Sequence, residues 1–223
     1  MNNQTQQMLE MTNEFQRMVD EFFDVQCRYE AAMRQVQTRL EILDEEFSLR
    51  NRRNPIHSIQ HRMKTIQSMM QKLRRRELPV SISSAVENLY DIAGVRVICS
   101  YIQDIYTVAD ALTGQDDIRL LRRRDYIQEP KSNGYRSLHL VLEVPVFLQA
   151  GRVMVPVEVQ IRTIAMDFWA TLEHTLRYKA PGEVPQEVSD ELLKTALDIA
   201  ALDQRMQHIH DRVEKLGGVA EGH

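Results

Sequence analysis

Proline is absent before Pro55 and glycine before Gly94, so nothing in the first quarter of the chain interrupts a helix. Cysteine is scarce as well. Cys27 and Cys99 form no CxxC pair, which excludes a zinc ribbon and a disulfide framework and suits a reducing, cytoplasmic setting. The histidines His57, His61, His139, His174, His208, His210 and His223 make no HExxH set, so no zinc site is encoded. Neither GxxxxGK[ST] nor GxGxxG occurs, and any bound nucleotide must therefore have its phosphates gripped by side chains. No apolar run approaches the roughly 18 residues that span a bilayer, and MNNQTQQMLEMTNEF has no basic start followed by an apolar stretch. Neither membrane insertion nor export is expected. An excess of positive charge is also missing. The 28 Lys and Arg against 32 Asp and Glu leave −4, which argues against a binder relying on overall attraction to polyanions. Any phosphate site has to be local.

What the 223 residues do contain, 43% of them hydrophobic and 27% charged, suits one domain with additional helices. Met8, Met11, Phe15, Met18, Phe22, Val25, Tyr29, Ala32, Val36, Leu40, Leu43 and Phe47 recur at helical steps, a long apolar stripe that needs a partner. A second helix is predicted from about His57 to Arg75. GVRVICS reads as a mostly buried strand, followed by a short helix to Gly114. Residues 136–148 and 152–162 read as two long strands joined around Gly151. Alternation puts Val153, Val155, Val157, Val159 and Ile161 on one face and Glu158, Gln160 and Arg162 on the other. Pro145 and Pro156 point to edge positions or bulges. AMDFWATLEHTLRYK and Val188 to Leu216 read as helices, with Phe168 and Trp169 as core residues and GGVAEGH as a frayed tail. The order gives an α+β fold: a mixed β-sheet core flanked by N- and C-terminal helices. We divide it into an N-terminal helical segment 1–53, a core 54–180 and a C-terminal helix and tail 181–223.

Two clusters carry positive charge. Arg62, Lys64, Lys72, Arg74, Arg75 and Arg76 fall on the second predicted helix, where Arg62, Lys72 and Arg75 or Arg76 lie within about 50° of one another. That stripe could grip a triphosphate, or be a solvated face or an RNA contact. In RRRDYIQEPKSNGYRSLH, Arg122, Arg123, Arg124, Lys131 and Arg136 surround one exposed turn with Tyr126 and Tyr135 interleaved, a combination that purine nucleotide recognition needs. Asn133-Gly134 within it also fits a plain hairpin turn. Asp91 and Glu158 sit beside or inside apolar strand sequence, where a carboxylate requires a cation or donor. The partner is either magnesium, which favours hard oxygen ligands, or an arginine in a structural ion pair, for example Arg96 or Arg162 with Glu158. His139 shares a strand face with Ser137 and Val141 and is a candidate ligand donor. Ser137 has no neighbouring base that would make it a nucleophile.

NPIHSIQHRMKTIQSMMQKLRRR, YDIAGVRVIC, RDYIQEPKSNGYRSLHL and VEVQIRTIAMDFWATLEH stand in this order between about Asn54 and Lys179. Together they resemble the small alarmone synthetases, stand-alone relatives of the RelA/SpoT synthetase domain. ICSYIQDIY and DYIQEPKSNGYRSLHL look closer to the RelP type than to its RelQ sister. The resemblance implies a nucleotidyltransferase-like core and a GTP pyrophosphokinase that moves the β,γ-diphosphate of ATP to the 3′-hydroxyl of GTP or GDP, yielding (p)ppGpp and AMP. It implies that Arg62, Lys64, Lys72 and Arg75 hold ATP phosphates and that Arg96 packs on adenine. Asp91 corresponds to the magnesium ligand, and Glu158 to the glutamate that polarises the 3′-hydroxyl and shares the metal. Tyr135 corresponds to the guanine-stacking tyrosine, with Arg124, Lys131, Asn133, His139, Gln160 and Asp167 lining the acceptor. Mg2+ as cofactor and a cytoplasmic homotetramer follow from the same resemblance. The hydrolase domain of the long relatives has no counterpart here. The rival reading from the residues alone is an RNA-binding regulator built on the two basic clusters.

Overall fold

The computed structural model describes residues 3–51, 53–179 and 184–220. With no helix breaker to stop it, the first segment runs as one helix, α1 (Asn3–Asn51). There follow β1 (Ile56–Met63), α2 (Ile66–Arg75), α3 (Ile82–Asn88), β2 (Ala93–Cys99), α4 (Ile102–Thr113), β3 (Arg119–Asp125), β4 (Leu138–Leu148), β5 (Gly151–Thr163), α5 (Ile164–Lys179) and α6 (Gln186–Ala220). The strands form one mixed sheet in the order β1-β2-β5-β4-β3, in which β2 and β5 run parallel and the other pairs antiparallel. The α+β expectation holds.

One face of the sheet is sealed. Val95 and Val97 of β2, Leu140 and Leu142 of β4, and Val157, Val159 and Ile161 of β5 are buried in one cluster with Val36 and Leu40 of α1 and Ile105, Val108 and Leu112 of α4. Each such fully buried aliphatic side chain contributes about 1.5–3 kcal/mol, which gives the α1 stripe its partner within the chain from Val25 to Leu40. The side chains of Met8, Met11, Phe15 and Met18 lie outside the described residues. On the opposite face, alternation along β5 places Glu158, Gln160 and Arg162, as the sequence predicts. Pro145, opposite Met154, lies beyond the end of β3, and Pro156, opposite Glu143, lies before the start of β2, so each sits where its strand has a neighbour on one side only.

Four expectations need correction. Residues 57–75 are not a single helix, because Ile56–Met63 pairs antiparallel with β2 and α2 starts only after Thr65. Thr65 is the cap, its hydroxyl accepting from the Ser68 amide at 3.2 Å. The basic residues therefore converge by strand and helix together rather than by helical phase. The arginine run before the turn is not loop but β3, paired with β4 so that Arg124 faces His139 and Arg122 faces Val141. Arg123 points to the other face and meets Asp110 of α4 at 3.1 Å. Trp169 is buried, but Phe168 is 58% exposed. The tail does not fray at Gly217: α6 continues to Ala220, and residues 221–223 lie outside the described residues.

Candidate active site

Two adjoining hollows open beside the C-terminal half of β1 and the start of β2. The first, about 290 Å3, is lined by Gln60, His61, Arg62, Asp91, Gly94, Val95, Arg96, Glu158 and Gln160. The second, about 450 Å3, is lined by Lys64, Ser68, Gln71, Lys72, Arg75 and Asp91. Asp91 is the wall they share. The parallel register sets Gly94 opposite Glu158, so no side chain from β2 fills the space beside that carboxylate.

Asp91 precedes β2 and receives two lysines from different elements. Lys64, just past β1, donates to Oδ2 at 2.8 Å, and Lys72 of α2 donates to the same oxygen at 2.6 Å. Burial acts to raise the Asp91 carboxyl, but the two ammonium groups outweigh it and hold it below the usual carboxylate range. Its other oxygen, Oδ1, is buried with no protein donor. An unpartnered carboxylate oxygen at the junction of two hollows, with Glu158 on the first of them, fits a hard divalent cation. Among the described residues no group of three or more His, Cys, Asp or Glu gathers, so a metal here would draw its remaining ligands from phosphates and water, as magnesium does.

Glu158 projects from the middle of β5. Its Oε2 accepts from Gln160 Nε2 at 2.9 Å, and its Oε1 lies 3.7 Å from His139 Nδ1. Burial pushes this carboxyl up, while His139 and Gln160 bring it below the usual range. Its partners are thus neither Arg96 nor Arg162, the two arginines offered above as its ion-pair candidates. Tyr135 sits in the β3–β4 connection, held by a turn in which Gly134 N–H donates to Lys131 C=O at 2.8 Å with φ +86°. Tyr135 Oη meets His139 Nε2 at 2.7 Å, and Lys131 Nζ stands 4.5 Å from the Tyr135 ring centre and 4.7 Å from that of Tyr126. Asn133 accepts from the Tyr135 amide at 3.2 Å and donates to Glu173 at 3.1 Å, so it shapes the turn. Arg124 reaches Tyr126 Oη at 3.3 Å. Asp167, at the start of α5, takes Arg96 at 3.3 Å and Arg162 at 3.1 Å on one oxygen. Burial and the adjacent Arg162 cation hold Arg96 below its usual value.

The expected site residues therefore group as follows. Arg62, Asp91, Arg96, Glu158 and Gln160 share the first hollow, Lys64, Lys72 and Arg75 the second, and Tyr135, His139 and Lys131 form an aromatic and basic ledge beside Glu158. Gln60 and His61 also line the first hollow, which the sequence does not signal: Gln60 is an uncharged polar residue and His61 one of seven histidines without ligand spacing. In the sequence Arg162 is visible as a residue on the Glu158 face and a candidate partner for that carboxylate, but its contacts to Tyr135 and Asp167 are not.

A mixed sheet with paired carboxylates, a lysine-rich hollow and a tyrosine ledge defines a polyphosphate-handling nucleotide enzyme that lacks a glycine-rich loop. Residues 61–183 match the model of the region found in RelA / SpoT proteins, and the chain belongs to that family. It is 43% identical over 186 residues to the GTP pyrophosphokinase YwaC of Bacillus subtilis, covering 83% of this chain and 89% of that protein. The small alarmone synthetase 2 of Bacillus subtilis superposes with a TM-score of 0.76 at 42% identity, over 83% of this chain and 97% of that one. The small alarmone synthetase 1 of the same organism, solved with its product pppGpp, gives 0.79 at 34% identity, over 86% and 97%. Among the described residues no helix is long and apolar enough to cross a membrane.

Proposed function

We propose that this protein is a GTP pyrophosphokinase that transfers the β,γ-diphosphate of ATP to the 3′-hydroxyl of GTP or GDP, releasing AMP, and that it does so in the cytoplasm. The observation that carries the reading is the Asp91 wall: a carboxylate with one free buried oxygen, two lysines on the other, and Glu158 on the same hollow. Transfer at phosphorus needs little covalent help, so placement and charge neutralisation supply most of the rate. Arg62, Lys64, Lys72 and Arg75 take the ATP phosphates, and the lysines exchange Asp91 Oδ2 for phosphate oxygens. Arg96 packs on the adenine. Tyr135 stacks on guanine, worth about 1–3 kcal/mol for any base, while Arg124, Lys131, Asn133, His139, Gln160 and Asp167 line the acceptor and give base and phosphate selectivity. Glu158, kept ionised by its neighbours, accepts the hydrogen bond of the 3′-hydroxyl. Asp91 and Glu158 would hold Mg2+, which when bound neutralises charge on the transferred group. Core 54–180 carries this chemistry; segments 1–53 and 181–223 frame it and build a homotetramer. The RelP-type assignment belongs to the same proposal.

Incubation with ATP, GTP and magnesium is expected to give AMP and a guanosine bearing a 3′-diphosphate, and Glu158→Gln is expected to abolish turnover while both nucleotides still bind. A folded protein that makes no such product, yet binds RNA with steep salt dependence and indifference to Asp91 and Glu158, would overturn the assignment.

A further inference from the structure

Arg162 is 4% exposed, on the Glu158 face of β5 where that strand runs into α5. Its Nη2 donates to Tyr135 Oη at 2.5 Å and to Gln160 Oε1 at 3.0 Å, its Nη1 to Asp167 Oδ1 at 3.1 Å, and its Nε to Ser137 Oγ at 3.3 Å. The guanidinium carbon also stands 5.0 Å from the Tyr135 ring centre. We propose that Arg162 is a positioning residue: it fixes the donor direction of two chains of side chains that converge on Glu158, and thereby locks the tyrosine ledge to the carboxylate. The inference rests on Glu158 acting on the acceptor hydroxyl.

The argument is one of proton inventory. A guanidinium has donors only and does not deprotonate in proteins. A phenol that accepts from it turns its own proton elsewhere, and the acceptor within reach is His139 Nε2 at 2.7 Å. With Nε2 accepting, a neutral imidazole carries its proton on Nδ1, the nitrogen that faces Glu158 Oε1. Along the shorter chain, the Gln160 carbonyl is claimed by Arg162, so its amide nitrogen is the end that donates to Glu158 Oε2. Both chains run from Arg162 to Glu158: the Gln160 amide cannot be turned round without asking the guanidinium to accept, and in the longer chain the Tyr135 proton has His139 Nε2 as its partner at 2.7 Å. Ser137 and Asp167 hold the guanidinium from its other edges. Because Asp167 also binds Arg96, the same residue ties the acceptor ledge to the other side of the first hollow.

Two variants and a spectroscopic reading test this. Arg162→Lys keeps the charge but offers a single donor centre, too compact to serve Tyr135, Gln160 and Asp167 together. It is expected to lower kcat by about 10- to 100-fold with the ATP KM within about twofold of wild type. Tyr135→Phe keeps the ring and cuts the longer chain. It is expected to lower kcat by roughly tenfold with little change in acceptor KM, and it carries the test should Arg162→Lys fail to fold. In histidine-selective 15N spectra, His139 is expected as the Nδ1–H tautomer in wild type and as a mixture in Arg162→Lys and Tyr135→Phe. Wild-type kcat in a folded Arg162→Lys protein, or an unchanged tautomer in both variants, would overturn the proposal. The underlying reading fails in a different way: Glu158→Gln would keep full turnover while the tautomer still responds to Arg162.

Discussion

At the scale of single residues, Asp91 shows how a net negative protein can present a cationic hollow. One carboxylate neutralises only one of its two lysines, so the second hollow keeps a surplus positive charge, enlarged by Arg75. The same arrangement has a pH signature. Because the lysines hold the Asp91 carboxyl below its usual value, its stabilising contribution is complete above about pH 4, the ordinary carboxylate range, and is lost as falling pH protonates it. Asp91→Asn is expected to reduce stability by about 1–3 kcal/mol near neutral pH. The gap between wild type and variant should narrow below about pH 4, as read from denaturant midpoints at the two pH values. A gap that widened in acid would contradict the lysine pairing.

At the scale of elements, what could be read from the sequence followed from how regular each pattern is. β5 was legible because valines alternate with Glu158 and Gln160, and α1 because nothing interrupts it. β1 was not: its burial is irregular, as an edge strand's is, and its polar residues at helical spacing imitate a stripe. The Thr65 cap, with Ser68 three positions on, is the signal that separates β1 from α2. β3 was hidden by its arginines, which are tolerated on an exposed edge. The carboxylates, lysines and tyrosine of the site were named from sequence in their roles, whereas Arg162 was named only as a face residue and an ion-pair candidate for Glu158, since its importance lies in hydrogen bonds to Tyr135, Gln160, Asp167 and Ser137. The contribution of α6 to the acceptor turn was equally out of reach. A Cβ on Gly134 would lie 2.5 Å from the Ala196 Cβ and 3.2 Å from Leu193 Cδ1, at a φ of +86°. Gly134→Ala is therefore expected to cost about 1–3 kcal/mol through overpacking and to raise the GTP KM, because the displaced turn carries Asn133 and Tyr135. Thermal melts and acceptor titrations check both.

At the scale of the whole molecule, apolar stripes lie exposed on two helices among the described residues. Ile164, Phe168, Leu172 and Leu176 recur along α5, and Leu202, Met206, Ile209, Val213 and Leu216 along α6, each 42–73% exposed. Such spacing suits helix-against-helix packing between copies, in keeping with the homotetramer proposed above. Ile209→Asp combined with Val213→Asp is expected to lower the mass seen by light scattering while leaving the far-ultraviolet spectrum unchanged; an unaltered mass would place the contacts elsewhere. Within the chain, α1 and α4 insulate one side of the sheet, whereas the side bearing Arg96, Glu158 and Gln160 opens onto the first hollow. In the proposed reaction the two nucleotides would serve as a removable wall as well as reactants. Occupancy at about a hundred times Kd would add roughly 2.7 kcal/mol of resistance to unfolding, so heat tolerance is expected to rise with nucleotide supply and a famine of nucleotides to soften the catalyst itself.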